Sequence, residues 1–131
     1  KGLNILMYHG ASMNSYIDEI ESLRSGNIHE NPSRIVKEML KRRHLCGINS
    51  SVTYITDDKQ DSLLIKEVPD IINTGDFHRP DVDIYNNIII ICSSCWQSIT
   101  PFEEKVGNVP DPCKVPVLNL RTREIKILDF N

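Results

Sequence analysis

A short segment in the second half of the sequence brings together two side chains that commonly bind metal ions. Asp76 and His78 lie two residues apart in the run Thr74-Gly75-Asp76-Phe77-His78. In an extended segment, residues i and i+2 point the same way, so both side chains can address one centre. Because apolar runs on either side of this segment predict strands, the pattern indicates a loop that carries a metal site.

A second histidine occupies a comparable place near the start of the sequence. His9 follows residues 3–8, which are strand-like and largely apolar, and Gly10 comes directly after it. Two strand ends that each carry a histidine into a loop can build a site at the rim of a sheet. A single histidine after a strand also commonly acts as a capping or hydrogen-bonding residue, so both interpretations of His9 stay open.

The cysteines offer a second candidate for metal or redox chemistry. Cys92 and Cys95 have C-x-x-C spacing, whereas Cys46 and Cys113 are isolated. A structural zinc site would need a second such pair. A redox pair would lie at the start of a helix, where the dipole lowers the thiol pKa, but this pair follows a run of isoleucines. We therefore interpret these residues as small, buried, unreactive thiols at a strand end.

The composition is that of one globular domain. The chain has 131 residues, of which 40% are hydrophobic and 25% charged, and its formal net charge is −3. This balance argues against a surface that coats nucleic acid, but not against a local contact with DNA. No apolar run is long enough to span a bilayer, so we expect no membrane association and a reducing, cytoplasmic location. Because the sequence begins at Lys1 and enters a strand almost at once, we expect it to be part of a larger polypeptide.

Hydrophobic periodicity predicts helices in the first half of the chain and strands in the second. One helix is predicted over 14–23; another has Asn31 as its N-cap and Pro32 at its first position, and closes at Gly47. A strand buried on both faces is predicted over 3–8. Further strands are predicted over 62–68, 70–74, 87–93, 115–120 and 124–128, the last two forming a hairpin. This order favours an α/β or α+β fold with a substantial sheet.

A basic run, Lys41-Arg42-Arg43-His44, ends the second predicted helix. Cations are expected at a helix C-terminus because the helix dipole favours them there. The run is also a candidate patch for DNA, and we regard the solvated helix end as the simpler interpretation.

Several segments, taken in order, resemble the small subunit of archaeal D-family DNA polymerases. They extend over essentially the whole chain and are Ile5-Leu6-Met7-Tyr8-His9-Gly10, Leu40-Lys41-Arg42-Arg43-His44-Leu45, Glu67-Val68-Pro69-Asp70-Ile71, Gly75-x-x-His78, Ser93-Ser94-Cys95-Trp96-Gln97, Thr100-Pro101-Phe102 and Val115-Pro116-Val117. The ordered set is far more specific than any one of its motifs.

The resemblance implies a calcineurin-like metallophosphoesterase fold, a β sandwich flanked by helices. Residues 1–131 would form its C-terminal portion, and the upstream half and an N-terminal oligonucleotide-binding (OB) domain would lie outside this sequence. By resemblance, the small subunit is a 3′–5′ proofreading exonuclease that uses two divalent metal ions, usually Mn²⁺, with Mg²⁺ as an alternative. Its partners would be the large catalytic subunit of the polymerase and a single-stranded 3′ end of DNA.

Two other functions are compatible with the same fold. The related eukaryotic B-subunits keep the fold without the metal ligands, so the chain would then belong to a catalytically inactive scaffold that binds the large subunit. A phosphoesterase acting on a small phosphodiester is a further alternative, which the resemblance in the segments around Trp96 and Pro116 disfavours.

The resemblance also assigns roles to the candidate site residues. Of five metal-binding motifs in the family, this chain carries the last two, a lone histidine and G-H-x-H. His9 matches the lone histidine and would bind the second metal ion, and His78 matches the final histidine of G-H-x-H and would bind the first; both would be catalytic. Asp76 stands where the family has the first histidine of G-H-x-H. A carboxylate suits Mn²⁺ but is shorter than histidine, so the site is either rewired or drifting toward inactivity, and the fragment alone should be inactive.

Two aromatic residues in the segment 93–106 have several possible roles. Trp96 and Phe102 could stack on an unpaired 3′ base, but such residues more often belong to a core or an interface. We interpret both as packing residues, and the segment as a candidate interface with the large subunit.

Overall fold

The computed structural model describes residues 2–47, 52 and 59–131. Within them the strands are β1 (Ile5–Met7), β2 (Ile71–Thr74), β3 (Asp81–Tyr85), β4 (Ile88–Cys92), β5 (Lys114–Leu118) and β6 (Ile125–Asp129). The α-helices are α1 (Met13–Glu19), α2 (Glu21–Arg24), α3 (Ser33–Arg42) and α4 (Pro101–Val106), with a 3₁₀ turn at Ile28–Glu30. No helix in this described part of the chain is long and apolar enough to cross a membrane.

The central sheet has the strand order β1-β2-β4-β3. Strands β1, β2 and β4 are parallel, with Ile5 opposite Ile71 and Ile72 opposite Ile90, while β3 runs antiparallel to β4. Because parallel strands share a direction, the carboxyl ends of β1, β2 and β4 lie at one edge of the sheet. The loops that leave these ends therefore meet there.

One face of the sheet packs against helices. Alternate residues of a strand face opposite sides, and Ile72, Ile88, Ile90 and Cys92 all lie in one cluster with the apolar residues of α1 and α3. The buried residues that α1 and α3 contribute to this core are Met13, Tyr16, Ile35, Val36, Met39 and Leu40. The 3.6-residue period of α3 places its four apolar residues on a single stripe, which explains why this face of the helix packs against the sheet.

The opposite face of the sheet is covered by the hairpin of β5 and β6. Ile71, Ile89 and Ile91 are buried there, and Leu118 and Ile125 of the hairpin pack against them. The fold is thus mixed α/β, with a helical layer, a mixed four-stranded sheet and a two-stranded antiparallel layer. This confirms the predicted class and the predicted terminal hairpin.

The first strand differs from its prediction. It spans residues 5–7 rather than the predicted 3–8. It is also not buried on both faces, since Met7 is 76% exposed and Ile5 is exposed as well. Within the described residues, β1 pairs only with β2, and the hairpin packs over the middle of the sheet rather than over β1. An apolar run predicts a strand, but it does not reveal whether a neighbouring layer covers that strand.

Two other predicted elements are wrong or divided. Residues 62–68 form no strand, only an isolated bridge between Leu64 and His44 at the end of α3. The helix predicted over 14–23 is interrupted at Ile20, whose extended backbone separates α1 from α2. Ile20 packs against the core, so tertiary packing overrides a helical periodicity that would otherwise continue.

The bounds of α3 also shift from those predicted. Its N-cap is Pro32 rather than Asn31. The helix ends at Arg42 rather than near Gly47, because the next residue, Arg43, adopts a left-handed conformation. The basic residues at this end are engaged within the chain. Lys41 and Arg42 pair with Glu38, Arg43 donates to backbone carbonyls of residues 65 and 66, and His44 contacts Asp61. These contacts support the interpretation of a helix end rather than a free DNA patch.

The structure adds two elements that the sequence analysis did not predict, β3 and α4. Aspartates are uncommon in strands, and β3 contains both Asp81 and Asp83. Their carboxylates are anchored on α3: Asp81 accepts from the backbone N–H of Ser33, and Asp83 pairs with Lys37. Contacts that are distant in the sequence therefore stabilise a strand that local propensity disfavours.

The core predicts a clear difference between two isoleucines on adjacent strands. Ile90 in β4 is fully buried, whereas Ile84 in β3 is 63% exposed. Ile90→Ala should lower the free energy of unfolding by about 2–5 kcal/mol because it leaves a cavity between sheet and helices. The matched Ile84→Ala should cost about 1 kcal/mol or less. Denaturant unfolding of both variants tests this, and equal losses would contradict the assignment of the helical layer.

Candidate active site

The three predicted site residues lie at the carboxyl edge of the parallel strands. His9 follows the end of β1 by two residues, and Asp76 and His78 follow the end of β2. In open α/β sheets, ligands commonly bind just outside the carboxyl ends of the strands. The fold therefore places these residues where such a sheet offers a binding site.

Backbone hydrogen bonds join the two loops directly. The carbonyl oxygen of His9 accepts from the backbone N–H groups of Gly75, at 3.0 Å, and of Asp76, at 2.9 Å. These bonds continue the pairing of β1 with β2, in which the N–H of Tyr8 donates to the carbonyl of Asn73. The positions of His9 and Asp76 are thus coupled through the main chain.

Gly10 permits this close approach. Its φ is +116°, and a Cβ atom at this position would lie 2.8 Å from the Cβ of Asp76. Both the backbone conformation and the lack of space exclude a larger residue. The glycine that follows His9 is therefore what lets the loop after β1 pass against Asp76.

The side chains of His9 and Asp76 form a pair. The Nδ1 atom of His9 lies 3.4 Å from an Oδ1 oxygen of Asp76, and the histidine is mostly exposed while the aspartate is largely covered. An imidazole nitrogen and a carboxylate oxygen at this separation can pair with each other or turn toward a shared cation. The structure brings together two of the three predicted ligands.

His78 is held by its backbone and by a buried carboxylate. Its φ is +53°, which is unusual for a residue other than glycine, and its N–H donates to the carbonyl of Gly75 while its own carbonyl accepts from the N–H of Asp111. Its Nδ1 atom lies 2.6 Å from Oε1 of Glu103. Strained backbone that is fixed by several hydrogen bonds is often found at functional sites.

Glu103 belongs to α4, where it also caps the helix. Its second carboxylate oxygen accepts from the backbone N–H and from the hydroxyl of Thr100, both at 2.8 Å, and its own N–H donates to that hydroxyl. Glu103 is only 4% exposed. The hydrogen bonds from the Thr100 backbone, from His78 and from the Thr100 hydroxyl hold the pKa of the Glu103 carboxyl below its usual value.

His9, Asp76 and His78 all line one cavity of about 620 Å³. The other lining residues, most of them polar, are Ala11, Asn14, His29, Phe77, Gln97, Thr100, Phe102, Glu103 and Asn108. Imidazole, carboxylate, amide and hydroxyl groups therefore converge on one space. Such a lining can bind a polar or charged ligand and hold it in a fixed orientation.

The donor types in this cavity fit a divalent ion only in part. Imidazole nitrogen and carboxylate oxygen are ligands for Mn²⁺ and related ions, and His9 and Asp76 supply one of each. Within residues 2–47, 52 and 59–131, however, no three His, Cys, Asp or Glu side chains cluster closely enough to hold a metal ion. The described residues thus provide part of a ligand set.

Two ionisable groups in this cavity, Glu103 and His29, were not predicted from the sequence. Glu103 had a recognisable signal, because Thr100-Pro101-Phe102-Glu103 has the spacing of a capping box with proline at the first helical position. His29 had none. It reaches the cavity from the 3₁₀ turn and stacks on Phe77 with ring centroids 5.4 Å apart, a contact between residues far apart in the sequence.

The aromatic residues of the segment 93–106 are not buried in a core. Trp96 and Phe102 are both exposed. Phe102 lines the cavity, and the ring of Trp96 lies beside that of Phe130, with the ring centroids 6.0 Å apart. Neither ring therefore lies in the core of the described residues, and the predicted packing role is left to an interface. Roles in an interface or in stacking on a base remain predictions.

The C-x-x-C cysteines have high thiol pKa values. Burial raises the pKa of Cys92 to about 12, and burial also raises the pKa of Cys95. The thiolate is the reactive and metal-binding form, and at neutral pH both groups are protonated. This supports their interpretation as unreactive thiols. Cys92 is buried as predicted, whereas Cys95 is only partly buried.

The contact between Gly10 and Asp76 generates a test of the loop arrangement. Gly10→Ala should destabilise the protein by about 1–3 kcal/mol, because it imposes a positive φ on alanine and pushes against Asp76. Gly75→Ala is the control, since a Cβ there meets no atom within 4 Å. Thermal unfolding of both variants measures the difference, and a Gly10→Ala protein as stable as Gly75→Ala would contradict the described approach.

Comparison with known proteins gives a consistent set of relatives. The chain is 33% identical over 130 residues to the DNA polymerase II small subunit of Halobacterium salinarum, which covers 99% of this chain and 25% of that protein. The identity is 35% over 131 residues with the protein of that name from Pyrococcus abyssi, and the match covers 99% of this chain and 20% of that protein. With the protein of the same name from Thermoplasma acidophilum the identity is 32% over 131 residues, and the match covers 100% of this chain and 26% of that protein. No protein-family model matches the chain.

These matches extend over nearly the whole chain but over a fifth to about a quarter of each relative. Identity of this degree across an entire domain-sized segment, in proteins of one name from three organisms, reflects common descent. The chain is thus homologous to one segment of the archaeal DNA polymerase II small subunits.

Proposed function

We propose that this chain is the C-terminal part of the metallophosphoesterase domain of such a small subunit, and that its cavity is part of a site for 3′–5′ hydrolysis of DNA phosphodiesters. The observation that carries the proposal is the contact between His9 Nδ1 and Asp76 Oδ1 at the carboxyl edge of β1 and β2. Calcineurin-like topology and exonuclease activity are both parts of this proposal.

The position of Asp76 supports a rewired site rather than a degenerate one. A carboxylate is shorter than the imidazole that the family has here, so it can replace that ligand only where the backbone approaches more closely. The hydrogen bond from the Asp76 N–H to the His9 carbonyl and the absence of a side chain at Gly10 provide this approach. The carboxylate consequently reaches the neighbourhood of the His9 ring.

The chain's own residues would then have distinct roles. His9 and Asp76 would bind one ion of a divalent pair, and His78 would bind the other. Such ions, when bound, activate water and neutralise charge on a phosphodiester near neutral pH. Asn14, Gln97 and Asn108 would orient the phosphate and sugar through their amide groups, and the exposed ring of Phe102 would contact the terminal base.

The remaining ligands would come from the rest of the longer protein. The described residues contain no complete group of ligands, and the chain spans at most about a quarter of its relatives' length. We therefore expect this segment alone to be inactive and the complete polypeptide, with its large subunit, to act on single-stranded 3′ ends.

A scaffold without catalytic activity is the second candidate. The incomplete ligand group among the described residues favours it, as do the exposed rings of Trp96, Phe102 and Phe130, which would suit contact with a large subunit. In a scaffold, the polar lining of the cavity would have no role in digestion.

The complete polypeptide that contains this chain separates the two candidates. With a 5′-labelled, 3′-mismatched primer and Mn²⁺, we expect stepwise shortening from the 3′ end. Asp76→Ala and His78→Ala should reduce it to background because each removes a ligand. Asp18→Ala, which changes an exposed carboxylate on α1 outside the cavity, should leave digestion unchanged.

Two outcomes would contradict the proposal. Absence of digestion by the unmodified protein, together with normal binding of the large subunit, would leave the scaffold. Full digestion by Asp76→Ala would exclude Asp76 as a ligand.

A further inference from the structure

We propose that Glu103 is a positioning residue for His78, fixing its imidazole as the Nδ1–H tautomer so that Nε2 is free to bind a metal ion. This inference rests on the proposed function, because it assigns a role to a residue that supports a proposed ligand.

The geometry gives each oxygen of Glu103 a separate task. Oε2 accepts from both the backbone N–H and the hydroxyl of Thr100, whereas Oε1 lies 2.6 Å from Nδ1 of His78. The capping of α4 uses only Oε2. The contact of Oε1 with a residue 25 positions earlier in the chain is therefore additional to the capping box.

A carboxylate without a proton can only accept hydrogen bonds. The atom that faces Oε1 must then be a donor, which requires a proton on Nδ1 of His78. In a neutral imidazole the proton on Nδ1 leaves Nε2 with its lone pair. Histidines that bind metals are commonly oriented in this way, by a carboxylate or carbonyl on the nitrogen opposite the metal.

Burial makes this constraint strong. The Glu103 side chain is 5% exposed and that of His78 is 29% exposed, so water competes little for the contact. The backbone of His78 is fixed at the same time by its bonds to Gly75 and Asp111. Ring and main chain are both held, and the imidazole has little freedom to turn away from the cavity.

The test measures the tautomer and the metal affinity separately, in the complete polypeptide. Selective ¹⁵N labelling of histidine reports the protonated nitrogen of His78 without metal, with the signal assigned from its loss in His78→Asn. We expect Nδ1–H in the unmodified protein. In Glu103→Gln the single amide oxygen stays with the two donors of Thr100, so the NH₂ group faces Nδ1 of His78 and should favour the Nε2–H form. Glu103→Ala should shift the signal toward the Nε2–H form, and Mn²⁺ affinity, measured by electron paramagnetic resonance, should fall by about 10–100-fold.

A control separates positioning from capping. Gly107→Ala strains the C-terminal end of α4, where φ is +74°, without a Cβ contact within 4 Å. It should lower the melting temperature while leaving the tautomer of His78 and the Mn²⁺ affinity unchanged. A folded Glu103→Ala protein should show both a changed His78 tautomer and a lower Mn²⁺ affinity.

The outcomes keep this inference distinct from the proposed function. A folded Glu103→Ala protein whose His78 retains Nδ1–H would overturn the positioning role. An unmodified protein that binds no Mn²⁺ would overturn the proposed function, and the metal-free tautomer would still decide whether Glu103 orients His78.

Discussion

The candidate site depends on the pairing of β1 with β2 and its continuation past the strand ends. The His9 carbonyl accepts two hydrogen bonds from the loop after β2, and the absence of a side chain at Gly10 lets the chains approach. These constraints set the distance between the ring of His9 and the carboxylate of Asp76. His9 and Asp76 are far apart in the sequence, with helices α1, α2 and α3 between them. Without the parallel pairing of β1 and β2, their side chains would not lie close enough to form one site.

The sheet and its covering layers fix that pairing. Helix α3 packs on one face through Ile35, Val36 and Met39, and the β5–β6 hairpin packs on the other. Strand β3, which Asp81 and Asp83 anchor on α3, forms the edge of the sheet opposite β1. Helix α4 adds a second kind of support, since its capping residue Glu103 also contacts His78. The site thus combines loops fixed by the sheet with a histidine fixed by a helix.

Local sequence patterns predicted the parts of this arrangement that have a local cause. The strand–loop pattern around Asp76 and His78, the buried isoleucines of β4 and the terminal hairpin are all visible in a few consecutive residues. The exposure of β1 was not, because an apolar run carries no information about which layer covers it. β3 was missed because its aspartates find their partners about 50 residues away on α3. Glu103 has a capping signature, but its contact with His78 is apparent only once the fold is known.

We propose that His9, Asp76 and His78 bind divalent metal ions in one cavity. The most direct measurement is anomalous diffraction at the manganese edge from crystals of the complete polypeptide grown with Mn²⁺. We expect two anomalous peaks, one bound by the His9 imidazole and the Asp76 carboxylate and the other bound by the His78 imidazole. Density bound only by other residues, or its absence from a well-ordered cavity at saturating Mn²⁺, would contradict the account.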